Sequence, residues 1–271
     1  MLADLHFVPD PRRRQEWQNR YDFNGLEDRC ERALDVFADR QVDVVVLVGD
    51  LAEDGDLPSL RRALRLGCTT TPAFVVGGNH DGIGMLARAL RAEPGTARMI
   101  GARGRDVAGV RVAGLPITRR RPGRWACTKR PAVAEWGRGP VVLASHFPVL
   151  ARERQLREAG LRHPAGLLNR ERIEDDLRRR GTPTVVVGGH MHVRDSASAG
   201  PILQISCGAL VEPPFDATVL TVEAHEGSVT VERRAYELGT ARERRNPRMV
   251  PARQRWHFTA RRGWSRTDRR S

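Results

Sequence analysis

Four short hydrophobic runs divide the first two thirds of the chain, and each one stops at a glycine or a serine. These runs lie at 42–48, 73–76, 141–144 and 184–187. Continuous runs of this length are typical of strands that are buried on both faces of a sheet. Hydrophobic residues recur at helical spacing over 26–38, with Asn24 placed to cap that helix, and over 60–66. The alternation predicts a layered α/β fold.

The pattern changes after His192, where helical periodicity fades. Strand signals near 202–207, 217–223 and 228–233 predict a closing β-sheet. Residues 116–138 are rich in Arg, Pro and Gly, and we expect a loop excursion there. No repeat with a period of 20–50 residues is visible, which argues against a solenoid or a propeller.

The end of the chain differs from the rest in charge and in periodicity. The formal net charge is +13, and residues 241–271 contribute +9 of it through eleven arginines against Glu243 and Asp268. This region is polar and lacks hydrophobic periodicity, which is typical of disorder. We therefore expect a domain over residues 1–238 and a disordered, basic, arginine-rich tail over 239–271.

The basic tail raises the question of a nucleic-acid partner. Residues 253–266 interleave aromatic side chains with five arginines, and aromatics among cations suit single-stranded nucleic acid. Lys129 is the only lysine, however, so the arginine excess resembles GC-rich coding more than a selected binding surface. We favour an interpretation in which Trp256 and Trp264 dock on the body of the protein. Nucleic-acid binding through the tail is the alternative.

Hydropathy and cysteine usage bear on the compartment. Every apolar run is far shorter than the roughly 18 residues that a membrane span requires, so we expect no membrane partner. No charged segment followed by an apolar one opens the chain, and the four cysteines are scattered. Scattered thiols of this kind are typical of reduced proteins, which favours the cytoplasm. The sequence leaves the oligomeric state open.

The ends of the predicted strands carry side chains that can bind metal ions. Asp50 follows the first run, Asn79-His80-Asp81 the second, His146 the third and His190-Met191-His192 the fourth, while Asp4-Leu5-His6 lies near the start. One such motif is weak evidence, because a single buried histidine is more often a core residue than a ligand. Five of the eight histidines fall at these positions, and strand ends of layered α/β folds converge at one edge. The set therefore predicts a metal site.

In this order, the motifs DLH, GDL, GNHD, SH and GHMH resemble those of the calcineurin-like metallophosphoesterases, over roughly residues 1–235. The resemblance implies a four-layer α/β/β/α sandwich of two mixed sheets with a dinuclear metal site at the strand C-terminal edge. The implied ligands are Asp4, His6 and His192 for the first metal, Asn79, His146 and His190 for the second, and Asp50 as the bridge. The resemblance makes His80 a catalytic residue beside the scissile phosphate, with Asp81 orienting it.

The chemistry of this ligand set indicates a reaction class. Imidazole and carboxylate ligands without thiolate suit two divalent metal ions, which could be Mn, Fe or Zn. Two ions about 3.5–4 Å apart can share a bridging hydroxide and clamp phosphoryl oxygens. We expect a phosphoester hydrolase in which this hydroxide attacks phosphorus and a protonated His80 stabilises or protonates the leaving oxygen. The motif spacing resembles the bacterial cyclic-nucleotide phosphodiesterase branch, so the expected substrates are small phosphodiesters or phosphomonoesters of cyclic-nucleotide or nucleotide type.

Other functions and details stay open on the sequence. A nuclease of the same fold, acting on DNA or RNA, is the alternative enzyme, while a non-catalytic metal-binding scaffold is disfavoured because no ligand is missing. Substrate choice is expected to lie in 116–138 and 149–168, where the candidate residues are Arg119, Arg120, Arg121, Arg124 and His163. Only three residues precede Asp4, so we expect further apolar residues upstream that complete the first strand.

Overall fold

The computed structural model describes residues 1–12, 21–67, 71–95, 97–152, 166–239 and 250–267. Within these ranges the helices are α1 (Leu26–Asp39), α2 (Leu57–Gly67), α3 (Ile83–Ala92) and α4 (Arg170–Arg180), with a 3₁₀ turn at Val133–Glu135. None of these helices combines the length and the hydropathy that crossing a membrane requires.

Helix α1 lies where the hydrophobic spacing predicted it, and it buries Leu26, Cys30 and Phe37 along one face. The predicted cap at Asn24 is wrong, because Gly25 is the N-cap residue and no side chain among the described residues caps the helix. The carboxylate of Asp22 instead stabilises the turn that precedes the helix. Its Oδ1 accepts hydrogen bonds from the N–H groups of Asn24 at 3.1 Å and Gly25 at 3.3 Å. An aspartate that bonds the backbone two residues further on is a common way to turn a chain into a helix.

The strands of the described residues are β1 (Val45–Val48), β2 (Ala73–Val76), β3 (Arg98–Met99), β4 (Arg105–Val107), β5 (Val110–Gly114), β6 (Ile117–Arg121), β7 (Arg124–Cys127), β8 (Val141–Ala144), β9 (Thr184–Gly188), β10 (Asp195–Ala199), β11 (Ile202–Ser206), β12 (Asp216–His225), β13 (Ser228–Glu237), β14 (Arg253–Thr259) and β15 (Gly263–Arg266). The predicted buried strands are present, although β1 begins three residues later than its hydrophobic run. Strands β6 and β7 pair as an antiparallel hairpin, so the region expected to be a loop excursion has regular structure.

Two sheets face each other across the centre of the protein. In the first, β1, β2 and β3 are parallel, and the chain start lies beside β1 through bridges from Leu2 to Leu47 and from Phe7 to Ala52. The second has the order β10-β11-β9-β8-β5-β4, with antiparallel pairs at both edges and parallel pairs between them. Strands β12 to β15 form an antiparallel sheet that adjoins the first sheet, because the N–H of Thr218 donates to the Met1 carbonyl at 3.1 Å.

Three layers of buried side chains hold four structural layers together. Helices α1, α2 and α3 pack on the outer face of the first sheet, where Leu47 and Val75 are buried. Val48 and Val187 belong to the layer between the two sheets. Helix α4 covers the outer face of the second sheet through Ile173 and its neighbours. This arrangement confirms the predicted α/β/β/α sandwich.

The C-terminal strands correct one expectation. The prediction of disorder is wrong for the residues of β14 and β15, because both strands pair in register behind β13. Trp256, Phe258 and Trp264 are buried in the layer between the sheets, and Trp264 Nε1 donates to the carbonyl of Pro201 at 2.8 Å. Side chains in β14 alternate between buried and exposed, which is strand periodicity that the arginines on the exposed face obscure. Residues 240–249 and 268–271 of the predicted tail lie outside the described residues.

Burial of these aromatic side chains changes the interpretation of the basic tail. Trp256 and Trp264 dock on the body of the protein, which is the alternative that we favoured. Their rings are 4% and 7% exposed, so they cannot stack on nucleic-acid bases in this structure. Arg253 and Arg255 remain on the exposed side of β14.

Candidate metal centre

The candidate metal centre lies where the parallel strands of both sheets end. Asp50 follows β1, Asn79 and His80 follow β2, His146 follows β8, and His190 follows β9. Strands that run in the same direction deliver the residues after their C-terminal ends to one edge of the sheet. Because the two sheets face each other, their edges bring these side chains into one site, to which the segment before β1 adds Asp4 and His6.

One group of ligand atoms consists of Asp4, His6 and His192, which lie within 4.8 Å of one another. The two Nε2 atoms of His6 and His192 are 3.3 Å apart, and His192 Nε2 is 3.7 Å from Asp4 Oδ1. Asp4 is fully buried, and its carboxylate also accepts the backbone N–H of His190 at 3.0 Å. These are the residues that the family resemblance assigns to the first metal.

A second group consists of Asp50, His146 and His190, with Asn79 beside it. His146 Nε2 is 3.2 Å from Asp50 Oδ2 and 3.0 Å from Asn79 Oδ1. The same Asp50 oxygen is 3.8 Å from His6 Nε2 in the first group. Asp50 therefore lies between the two groups, at the position expected of a bridging carboxylate.

Outer hydrogen bonds orient three of the imidazoles. His6 Nδ1 is 2.5 Å from Glu53 Oε2, His192 Nδ1 is 2.9 Å from Glu212 Oε1, and His146 Nδ1 donates to the Val48 carbonyl at 3.0 Å. Each contact places the proton on Nδ1 and leaves the lone pair of Nε2 directed into the site, which is the tautomer that binds metals.

The nitrogen and oxygen atoms that face into the site are hydrogen-bond acceptors, so they suit a bound metal ion better than contact with one another. In these tautomers the facing Nε2 atoms of His6 and His192 are both acceptors, and so are His146 Nε2 and Asn79 Oδ1. Acceptors about 3 Å apart repel unless a cation or a proton lies between them. Carboxylate, amide oxygen and imidazole donors are also the set that first-row divalent ions prefer. The residues present therefore fit two divalent ions.

Sequence reasoning missed Glu53 and Glu212. Glutamate is a common surface residue, and only the fold places these two against His6 and His192. Glu53 follows Asp50 by three residues, which is the one local signal that could have suggested it. Tyr21 is a further unpredicted neighbour, because its ring stacks on the His192 ring with centroids 5.3 Å apart.

The backbone of the site is unusual in its torsion angles. Of the non-glycine residues in the described part of the chain with φ in the left-handed region, five are predicted ligands, namely Asp4, His6, Asp50, His190 and His192. Residues held in sparsely populated conformations cluster at functional sites, where the surrounding structure enforces them. The site is also crowded at Gly78 of the GNHD motif. A Cβ there would lie 2.1 Å from Asp50 Oδ1, so this position requires glycine.

Burial and mutual charge shift the titration of the ligands. Burial by itself raises the pKa of Asp50, but the imidazoles of His146, His6 and His80 outweigh it and hold that pKa well below its usual range. Burial lowers the pKa of His146, yet the Asp50 carboxylate outweighs it and raises the pKa to about 9. Burial, followed by the charge on His146, lowers the pKa of His190. Metal binding must displace the proton that this raised pKa keeps on His146, so metal affinity falls in acid.

His80 lies at the rim of the site with its side chain 34% exposed. Its Nδ1 donates to the Glu53 carbonyl at 2.6 Å, which leaves Nε2 on the other side of the ring. Burial lowers the pKa of His80, but the charges of Asp50 and Glu53 and the bond to the Glu53 carbonyl outweigh it and raise the pKa. The ring is therefore available to hold a proton at Nε2.

The predicted role of Asp81 needs correction. Its carboxylate does not hold the His80 ring but accepts backbone N–H groups of Leu51 (2.9 Å), Ala52 (3.2 Å) and Gly78 (2.9 Å). Asp81 thereby ties the loop after β1 to the loop after β2, and the Glu53 carbonyl takes the role of orienting His80.

The structure describes four of the five residues that we expected to determine substrate choice. Arg119, Arg120, Arg121 and Arg124 are exposed on the β6–β7 hairpin. Trp125 of that hairpin stacks on Phe147 at 6.1 Å, and Phe147 packs against His190 at 4.1 Å between ring centroids. The hairpin therefore adjoins the second ligand group, while His163 lies outside the described residues.

Comparison with known proteins agrees with this fold. The sequence model described as calcineurin-like phosphoesterase matches residues 1–194. The chain therefore belongs to the calcineurin-like phosphoesterase family and is a metallophosphoesterase, a class of hydrolases that uses divalent metal ions in a dinuclear site. No curated protein matches the chain.

Solved structures with a similar fold include a dimetal phosphatase from Danio rerio, at 15% identity and a TM-score of 0.56 over 85% of this chain and 93% of that chain. A phosphopantetheinyl hydrolase from Mycobacterium tuberculosis is similar at 14% identity and a TM-score of 0.45, over 77% of this chain and 88% of that chain. The inner membrane complex anchor of Plasmodium is similar at 9% identity and a TM-score of 0.47, over 100% of this chain and 88% of that chain. The first of these supports the fold.

Proposed function

We propose that the protein hydrolyses small phosphodiesters or phosphomonoesters, of cyclic-nucleotide or nucleotide type, with two divalent ions bound at the candidate metal centre. The observation that supports this most is the pair of neighbouring ligand groups, in which acceptor atoms face one another about 3 Å apart and Asp50 of the second group lies 3.8 Å from His6 Nε2 of the first. Asp4, His6 and His192 would hold one ion, Asn79, His146 and His190 the other, and Asp50 both. When bound, the ions supply Lewis acidity that polarises the phosphoryl oxygens and activates water.

Side chains and backbone groups of the protein orient the ligands and supply the proton. Outer bonds from Glu53, Glu212 and the Val48 carbonyl keep three imidazoles in the ligating tautomer. His80 holds a proton at Nε2 and gives it to the leaving oxygen, since its Nδ1 is occupied by the Glu53 carbonyl. The reaction ends with water added across the P–O bond, the proton on the leaving group and the phosphate carrying the new oxygen.

A small substrate is favoured over nucleic acid. The aromatic rings that suggested base stacking are buried in the layer between the two sheets. We propose Mn²⁺ as the first ion to try, with Fe²⁺ and Zn²⁺ as the alternatives. The cytoplasm stays our proposal for the compartment, supported by the buried free thiols of Cys30, Cys127 and Cys207.

The test is hydrolysis of bis-p-nitrophenyl phosphate by the full chain. Exhaustive chelation should abolish turnover and added Mn²⁺ should restore it. Asp50→Ala should be the most damaging ligand change, because it removes the carboxylate that would serve both ions. Undiminished turnover by the chelated Asp50→Ala protein would refute the proposal. A parallel screen of cyclic nucleotides, nucleotides and single-stranded DNA decides the substrate, and faster cleavage of DNA than of every small ester would favour the nuclease.

A further inference from the structure

The β6–β7 hairpin carries a patch of positive charge that no acidic side chain neutralises. The chain contains no aspartate and no glutamate between Asp106 and Glu135. The exposed arginines of the hairpin form no ion pair or side-chain hydrogen bond with any residue in the part of the chain that the structure describes. They are Arg119, Arg120, Arg121 and Arg124. Clustered cations without counter-charges attract anions from solution.

The arrangement of this charge is unfavourable for the hairpin itself. Arg121 lies directly opposite Arg124, and like charges in directly opposed positions of two strands are destabilising. The register also shifts between Arg119 and Arg121, which is the irregularity of a β-bulge. Bulges are frequent beside active sites, where they change the direction of side chains. Both features are expected of a hairpin that meets an anionic ligand.

The two faces of the hairpin differ in what they contact. Arg119 lies directly opposite Trp125. Directly opposed residues have their side chains on the same face, as do residues two apart in one strand. Ile117 and Cys127, the opposed pair before them, share this inner face and are buried with Phe147. Arg119 is on the same face but exposed, so it lies where the inner face leaves the core.

Stacked rings connect this inner face to the metal centre. The ring centroids of Trp125 and Phe147 are 6.1 Å apart, and those of Phe147 and His190 are 4.1 Å apart. The indole is therefore at most about 10 Å from the imidazole of a predicted second-metal ligand. Arg119 is the cross-strand neighbour of Trp125, whereas Arg124 precedes Trp125 in β7 and is on the other face. Only the first of these arginines lies on the side of the metal centre.

We propose that Arg119 is a specificity-determining residue that binds a second phosphate of the substrate. The preferred substrates are then phosphoesters that carry another phosphate on the same sugar, or on a chain of similar length. This inference rests on the proposed function, because it takes the metal centre as the place where the scissile phosphate binds. Guanidinium suits this task, since it binds phosphate through two parallel N–H···O bonds. Trp125 and Phe147 lie between Arg119 and the ligands, so a sugar-sized spacer fits better than a pyrophosphate group.

Binding is measured by calorimetric titration of AMP and of adenosine 3′,5′-bisphosphate into the Mn²⁺-loaded full chain, with the His80→Ala change present throughout to slow turnover. The bisphosphate should bind about tenfold more tightly than AMP. Arg119→Ala should abolish this preference and leave the affinity for AMP within about twofold, and Arg119→Lys should keep part of it. Arg124→Ala is the matched control, because it removes the same charge from the other face of the same hairpin, and it should keep the preference.

Three results would overturn the proposal. They are no preference for the bisphosphate in the parent, an unchanged preference in Arg119→Ala, and equal losses in Arg119→Ala and Arg124→Ala, which would indicate a general attraction of anions to the hairpin. The measurement needs no turnover. A protein that binds the bisphosphate through Arg119 but hydrolyses no phosphoester would refute the proposed function alone. Hydrolysis of bis-p-nitrophenyl phosphate without a preference for the bisphosphate would refute only the role of Arg119.

Discussion

The burial of Trp256 leads to a prediction about stability. Trp256 is 4% exposed, lies opposite Val231 in the β13–β14 pair and belongs to the layer between the two sheets. The guanidinium of Arg233, itself fully buried, lies 5.9 Å from the Trp256 ring centroid. Removing the ring would leave a cavity in the centre of the protein and deprive a buried cation of an aromatic neighbour.

The magnitude follows from the loss of this buried ring. Truncation of a core tryptophan to alanine costs about 3–5 kcal/mol of unfolding free energy. For a domain of this size each kcal/mol shifts the melting temperature by roughly 2–4 °C, so Trp256→Ala should melt roughly 10 °C lower than the parent protein. The control is Arg255→Ala, since Arg255 is exposed on the other face of β14 and its loss should cost less than about 1 kcal/mol.

Thermal unfolding followed by far-ultraviolet circular dichroism, at one fixed metal content, measures both variants. Removal of everything beyond Leu238 should be more severe still, because it exposes the Val229 and Val231 side chains that β14 covers. If Trp256→Ala melts within about 2 °C of the parent, β14 is not part of the core, and the expectation of a disordered tail returns.

Two further predictions concern the site and its surroundings. His80→Ala should retain both ions by elemental analysis and lose about 10²–10⁴-fold in kcat, more for alkyl than for p-nitrophenolate leaving groups; equal losses would contradict its role as a proton donor. Burial, opposed by the charge of Arg194, raises the pKa of Asp216 from its ordinary value of 3.8 to about 6. The folded state therefore holds this proton more tightly than the unfolded state. The stability that this proton contributes is lost as the pH rises from the unfolded pKa through the folded one. Relative to Asp216→Asn, the parent should lose about 2 kcal/mol of unfolding free energy between pH 4.5 and pH 7 in urea titrations, and a pH-independent difference would contradict the shift.

The fold could be predicted where the local sequence pattern reflects the burial of the element. The runs that became β2, β8 and β9 are continuous and apolar because both faces of those strands are buried. Strand β14 was not predictable in the same way, since Arg253 and Arg255 on its exposed face made an alternating strand resemble a charged tail. Tertiary burial of Trp256 and Phe258 decides its structure, and a single sequence does not display that.

The site residues also divide into those that the sequence could predict and those that it could not. Asp50, His146 and His190 could be predicted because strand ends of a layered fold meet at one edge. The outer partners could not, because Glu53 and Glu212 are 159 positions apart and meet neighbouring imidazoles only in the folded chain. The role expected of Asp81 failed for a related reason, since its backbone partners in two loops are invisible in the sequence.

The central claim is that two ions bind side by side at the shared Asp50. Electron paramagnetic resonance of the Mn²⁺-loaded full chain, with the ion content of the same sample measured by elemental analysis, tests it most directly. A dinuclear centre should give two Mn²⁺ per chain and the multiline spectrum of an exchange-coupled pair, which Asp50→Ala should convert to uncoupled signals with fewer bound ions. One ion per chain at saturation, or two ions without magnetic coupling, would contradict the dinuclear centre.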